Sequence, residues 1–462
     1  MIRASSLLLA ALLAAPALAQ TAGTPDIQNE SNKPAATEAI QKSALEAVAG
    51  KIGLSDNEPS ISFEDVMAKP DDVELNYRFA RQQVRGGDLK GAAATLQRIL
   101  LINPDLPRVR LFYAVVLYRL DDLTESQLEL QRLNELKITD DVRKELDVYV
   151  KAIAKRQKRD HLSGQVGVGW EYDGNRNAFP SSGHYLFAGT PITPGTPRTD
   201  DTSALFLGSV QERHTFSGNN EAFATFDYFR AEQTQLKTLN IQAYALTAGD
   251  AIRTPWNFTV KPSAIFDHVL LAQSTFLRDR GVDLRLERKI TQSTLLFADF
   301  RDVFNDYVNS PAFLSAHGFS GIQTDFTVGA EKVLSPRQKL TISGDYGVKH
   351  AFLNVYAYNR AAFDLSHMLL LKKGVFLVSS LSLHYDYYPH PDVFISPLYR
   401  HDETGRLSFT LGAPLSIIHP VLKDVVGTLT YEYYQAISSV DNYSYTNNKI
   451  AALLTYRWDA AF

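Results

Sequence analysis

Three side chains near the C-terminal third, His384, Asp386 and His390, have the types and spacing from which a divalent metal could be held. A metal centre, however, takes at least three convergent ligands with an outer layer that orients them. In an extended chain His384 and Asp386 fall on one face, while Pro389 marks a turn that separates the two histidines. A polar strand face running into a loop is the plainer reading, and no metal or other cofactor is expected. A second constellation, Asp283, Arg285, Glu287 and Lys289, alternates charge at every other residue and so puts four charges on one strand face. That suits a polar cavity wall with compensating charge, or more sharply a selectivity filter. Neither Gly-x-Ser-x-Gly nor Gly-Lys-Ser/Thr occurs, so hydrolase elbow and phosphate loop are absent and no enzyme is expected.

The elements that carry these residues alternate with period two. Val282, Leu284, Leu286 and Ile290 oppose the charged set, Val166, Val168, Trp170 and Tyr172 alternate with Gly167, Gly169, Glu171 and Asp173, and Leu340, Ile342, Tyr346 and Val348 follow the same rule. The last strand alternates through Ile450, Leu454, Tyr456, Trp458 and Phe462. One apolar and one polar face per strand fits a transmembrane barrel, lipid on one side and a wet lumen on the other. Tyr456, Trp458 and Phe462 are then the candidate signal for the barrel insertion machinery.

Fourteen such segments begin near residues 162, 202, 221, 238, 255, 274, 294, 320, 338, 358, 375, 405, 422 and 448. Short connections such as 217–220, 289–292, 334–337 and 372–374 alternate with long ones at 174–201, 305–319, 388–405 and 435–447. That asymmetry is the bacterial outer-membrane pattern. The predicted fold class is therefore α+β multidomain, a helical N-terminal domain followed by a closed 14-stranded antiparallel barrel over 161–462, because lipid cannot satisfy an open sheet edge.

Ahead of the barrel, residues 1–19 read as a secretory signal peptide: Arg3, an apolar run from Leu7 to Leu13, and the small residues Ala17 and Ala19. Residues 20–62 form a polar lead-in with one short helix over 36–49. Residues 63–157 show helical spacing, and an offset of 34 aligns Leu75 with Val109, Tyr77 with Leu111, Ala80 with Ala114 and Leu96 with Leu130. That is the tetratricopeptide period. Its concave face would offer Tyr77, Arg81, Arg108, Leu111 and Tyr118 to a partner. An ordinary helical hairpin bundle is the alternative. The chain has no cysteine, 22 Tyr and 25 Phe, and a formal net charge of −4, which gives no reason to expect nucleic acid as a partner.

The segment Gly169-Trp170-Glu171-Tyr172-Asp173-Gly174-Asn175-Arg176-Asn177-Ala178-Phe179-Pro180 resembles the motif of type Gly-Tyr-x-x-Asp-Ser-Asn-x-Asn-x-x-Pro that opens the barrel of the surface lipoprotein assembly modifier (Slam) family, with Gly174 in place of Ser. The order of domains is similar too. The resemblance implies an outer-membrane translocon: a periplasmic repeat domain recruits a secreted or lipoprotein client, alone or with a periplasmic chaperone, and a barrel set in outer-membrane lipids moves it to the cell surface. An exopolysaccharide export porin with a tetratricopeptide adaptor is the competing expectation.

Overall fold

The computed structural model describes residues 61–193, 195–216, 220–291, 293–310 and 313–461, which form two compact units. The signal peptide, the 36–49 helix and Phe462 lie outside the described residues.

Among the described residues of the first unit, six helices follow one another: α1 (Phe63–Ala68), α2 (Val73–Arg85), α3 (Leu89–Ile102), α4 (Pro107–Arg119), α5 (Leu123–Asn134) and α6 (Asp140–Arg156). Their starts are written in the sequence. Ser62 and Asp65 form a reciprocal capping box, Asp72, Asp88 and Asp122 accept from the third residue of their helices, and Pro107 opens α4 where no amide donor is needed. The helix starts repeat at 34 residues, Val73 to Pro107 and Leu89 to Leu123. This is compatible with tetratricopeptide-like pairs.

Equivalent positions are buried in both pairs: Ala80 and Ala114, Leu96 and Leu130, Ile99 and Leu133. Where Ala92 lets α3 approach α2, its counterpart Ser126 stays buried because its Oγ donates to the Ala114 carbonyl at 2.7 Å. Without that acceptor a buried hydroxyl would destabilise the pair. Arg110, also buried, pairs with Glu129, which in turn accepts from Arg132 at 2.5 Å.

In the second unit fourteen antiparallel strands close on themselves: β1 (Asp160–Asp173), β4 (Asp201–Thr215), β5 (Glu221–Gln233), β6 (Ile241–Arg253), β7 (Phe258–Leu271), β8 (Ser274–Thr291), β9 (Thr294–Tyr307), β10 (Gly321–Ser335), β11 (Gln338–Ala351), β12 (Tyr358–Leu370), β13 (Phe376–Tyr387), β14 (His401–Pro414), β15 (Val425–Ser438) and β16 (Tyr445–Ala461). Each pairs with its sequence neighbour, and β16 pairs with β1. A small hairpin, β2 (Tyr185–Phe187) with β3 (Thr190–Ile192), lies in the first long loop.

The alternation turns one face of every strand outward. Val166, Val168 and Trp170 on β1, Val282, Leu284 and Leu286 on β8, Ile322, Phe326 and Val328 on β10, and Leu407, Phe409 and Leu411 on β14 are all exposed. A continuous exposed apolar band around a polar interior is stable only in lipid, so this is an outer-membrane-type barrel. Among the described residues no helix is long and apolar enough to span a membrane.

Three expected loops are shorter than the sequence suggested. β9 runs on to Tyr307, β14 begins at His401, and β15 and β16 extend to Ser438 and back from Tyr445. The extra residues are mostly polar, Asn, Asp, Glu, Gln, Thr and His among them, a composition that reads as loop but pairs as strand where a sheet projects beyond the bilayer. The loop-length asymmetry also has two exceptions. Ala272 and Gln273 alone join β7 to β8 on the long-loop side, and residues 415–424 join β14 to β15 through two 3-10 turns on the other.

Candidate functional site: the lumen and its loop-covered mouth

The inward faces carry the charges that the sequence had put on one side of each strand. Arg285 donates to Glu287 at 2.6 Å and to Asp299 at 2.9 Å, and Lys261 reaches Glu287 at 3.0 Å. Thus Arg285 and Glu287 are compensated as expected, though largely through neighbouring strands. Lys339 with Glu331 at 2.6 Å and Arg406 with Glu432 at 3.8 Å continue the pattern around the wall. Between them the register brings Asp283 opposite Arg301 and Asp325 opposite the same arginine, while Asp345 accepts from Thr327 at 2.9 Å. A wall of this kind attracts ions and polar segments and repels apolar ones.

His384, Asp386 and His390 do not come together. Asp386 is held by the Arg360 guanidinium through two bonds of 2.7 and 2.8 Å, His384 lies 2.9 Å from the Ser382 hydroxyl, and His390 sits in a loop. Among the described residues no three metal-ligating groups cluster.

The segment Gly169–Pro180 is where strand turns into loop, and its polar residues are structural ties. The Asp173 carboxylate, 2% exposed, receives Lys449 Nζ at 3.3 Å, Asn447 Nδ2 at 2.7 Å, Arg176 at 3.6 Å and the Asn175 amide at 3.1 Å. Asn175 then fixes the turn by accepting from the Phe179 amide and donating to the Phe179 and Thr446 carbonyls. Asn177 does the same to Thr199 and Pro197. Four motif residues thereby bind β1, β16 and the first long loop to each other.

That loop is knitted to two others. Leu186 exchanges two hydrogen bonds with the Asn442 side chain at 2.6 and 3.1 Å, Ala188 and Gly189 donate to the Phe394 and Ile395 carbonyls, and His184 faces Asp441 at 3.3 Å. Beneath them Arg400 lies over the Tyr443 ring at 3.3 Å and the Tyr388 ring at 4.2 Å while pairing with Asp402. Only a space about the size of one water remains between Tyr356, His390, Asp392, Arg400 and Tyr443. Burial pushes the Tyr356 hydroxyl up to about 12.

A fourth loop turns into the mouth. Phe313, Ala316 and Phe319 are buried against Leu205, Ala231, Ile241, Leu271, Leu277 and Tyr307, the inward residues at the long-loop ends of β4 to β9. In the sequence 305–319 reads only as a long loop, so this element is not expected from it. Its signal was there in Phe313 and Phe319, two large apolar residues in a segment expected to be solvated.

Of the five helical-domain residues proposed as binding anchors, Tyr77, Arg81, Leu111 and Tyr118 are buried. Tyr77 packs edge-on against Phe112 at 5.7 Å, and Tyr118 against Tyr149 at 5.9 Å. They are placed as packing residues because the aromatic rings bury more area between helices than on a face. Arg108 is the one that stays exposed, 3.6 Å from Asp141. Of the proposed assembly signal, Tyr456 faces outward and stacks on Trp458 at 6.1 Å.

No protein-family model matches the chain. No curated protein matches it either. Among solved structures it is similar to Acinetobacter baumannii OccAB1 (9% identity, TM-score 0.35, 65% of this chain and 96% of that one), to the outer membrane protein OprD from Pseudomonas aeruginosa (9%, 0.33, 66% and 94%) and to a Pseudomonas aeruginosa FadL homologue (11%, 0.34, 65% and 90%).

Proposed function

We propose that this chain is an outer-membrane translocon: the helical domain, in the periplasm, recruits a secreted or lipoprotein client, and the barrel gives it passage to the cell surface. The observation that carries this reading is a wide barrel with a charged lumen, made in one chain with helix pairs of 34-residue period. A lumen of fourteen strands is broader than side chains alone fill. Helix-pair repeats characteristically offer protein-binding surfaces. The Gly169–Pro180 segment adds support, since the residues that resemble the Slam motif are those that tie the barrel's first and last strands. Outer-membrane lipids, the barrel insertion machinery and a periplasmic chaperone are the further partners. The reading assigns no catalysis and no cofactor, so the work of passage comes from client folding outside or from differential binding on the two sides.

The test is surface labelling of a candidate client in cells carrying the full chain, a form lacking 61–157, and Arg108→Glu. Arg108 is exposed, so its reversal should leave the fold intact while altering the charge offered to a client. Full-length cells should display the client and the truncated form should insert but fail to display it, with Arg108→Glu in between. Equal display by the truncated form would end the recruiting role. Dependence of a surface polysaccharide, and of no protein, would replace the translocon with a sugar exporter.

A further inference from the structure

We infer that the long-loop mouth of the barrel is closed at rest by an apolar gate, the segment Phe313–Ser320 folded into the lumen. The inference rests on the barrel being a conduit, whatever passes through it. Phe313 is fully buried, which a loop over open water would not achieve. Its ring meets Phe276 at 5.7 Å and Phe319 at 6.0 Å, and Phe319 meets Tyr307 at 5.9 Å.

The strand wall is shaped to receive these rings. Below the mouth the inward positions are charged, whereas at the mouth they change to Leu205, Ala231, Ile241, Leu271 and Leu277 over five successive strands. At β8 the register slips by one residue, Val269 facing Leu277 and Leu270 facing Thr275. Phe276 is the extra residue, and the bulge turns its ring onto Phe313.

The other half of the mouth is covered through Tyr356. Its ring lies tilted against Phe319, 3.7 Å between centroids, and it lines the small space that Ile395, Val440 and Tyr443 also line. Those three form their own buried cluster with Leu186 packed on it. Apolar side chains therefore line the mouth on both sides, from the β4–β9 wall to the loops above β13–β16, with one small space between the two clusters. A constriction lined this way opposes ions by excluding water rather than by charge.

The insert is attached so that it can leave without unravelling the sheet. Its ends are tied by the Tyr307 amide to the Ser320 hydroxyl at 2.9 Å, directly above the paired strands. Residues 309–319 can accordingly be replaced by Asn-Gly with β9 and β10 still joined.

The experiment is ion conductance of the purified full chain in planar bilayers, with no client present, so that failure here is separate from failure of the translocon reading. The variants are Phe313→Ser with Phe319→Ser, and the 309–319 replacement, each accepted only if it shows a heat-modifiable folded band. The parent should be nearly silent and both variants should conduct at least about tenfold more, as expected when a dewetted constriction is removed. Since the chain lacks cysteine, Thr327→Cys below the insert gives a second readout. A membrane-impermeant thiol reagent added at the long-loop side should label it slowly in the parent and rapidly after the replacement. A parent that conducts or labels as well as the folded variants would overturn the gate, as would folded variants that stay silent.

Discussion

Asp173, at the end of the first barrel strand, and Lys449, in the last, meet at 3.3 Å and join the two ends of the sheet. Lys449 is one of three side chains that Asp173 holds there, the others being Arg176 and Asn447. The consequences of losing either partner are unequal. Asp173→Ala would strand two buried cations and should destabilise the barrel by about 3–5 kcal/mol, whereas Lys449→Met leaves the carboxylate with Arg176, Asn447 and the Asn175 amide and should cost much less. Denaturant midpoints of the heat-modifiable band would decide this. Equal losses would mean that Asp173 is not the centre of the seam.

Close approach at the same seam depends on a missing side chain. A Cβ at Gly169 would sit 2.3 Å from the Ala452 carbonyl oxygen and 2.4 Å from a Leu453 methyl. Backbone cannot yield as a side-chain tip can, so Gly169→Val should prevent β1 and β16 from pairing. Gly208→Ala, in β4, meets nothing closer than 3.9 Å and serves as the control. Outer-membrane fractions should then contain folded Gly208→Ala protein and little folded Gly169→Val protein; a normal yield of the latter would contradict the packing.

The strand count and most strand starts were legible because lipid and lumen impose strict alternation, and Val282 to Glu287 shows it without a break. The mouth was not legible. Phe313 and Phe319 are far in sequence from Leu205 and Ile241, and nothing in local periodicity says that a loop turns inward. Tyr77, Leu111 and Tyr118 lie in the core rather than on a surface for a related reason. A helical repeat fixes which residues share a face, but which face becomes core depends on the helices packed against it, and here these residues are buried among α2, α4 and their neighbours. Asp386 illustrates the third limit: its partner Arg360 sits 26 residues away on the adjoining strand.

The two-residue connection between β7 and β8 holds Ala272 at φ 48° and Gln273 at φ 69°. Both are left-handed, a conformation that costs residues with a Cβ about 1–2 kcal/mol each and that Asn-Gly adopts readily. Replacing the pair by Asn-Gly keeps the Ala272 amide that donates to the Asn240 carbonyl at 2.8 Å. The barrel should become more stable by about 1–2 kcal/mol, seen as a higher denaturant midpoint. No gain, or a loss, would show that the turn is held by contacts that the new side chains break.

Two tyrosines of the helical domain give it a pH limit. Burial pushes Tyr77 and Tyr149 from 10.0 up to about 12, because a phenolate between helices would lose its water. The folded state keeps a proton that the unfolded chain releases. Their stabilising contribution is therefore complete below pH 10, falls as pH rises from 10 to 12, and is gone above it. At about 1.4 kcal/mol per pH unit each tyrosine removes about 2–3 kcal/mol across that window. Helical circular dichroism of the full chain should collapse within it while remaining flat from pH 7 to 9.5. Tyr77→Phe keeps the edge-on packing against Phe112 without the ionisable hydroxyl, so it should move the collapse to higher pH. If its midpoint matches that of the parent, ionisation of Tyr77 is not what limits the domain.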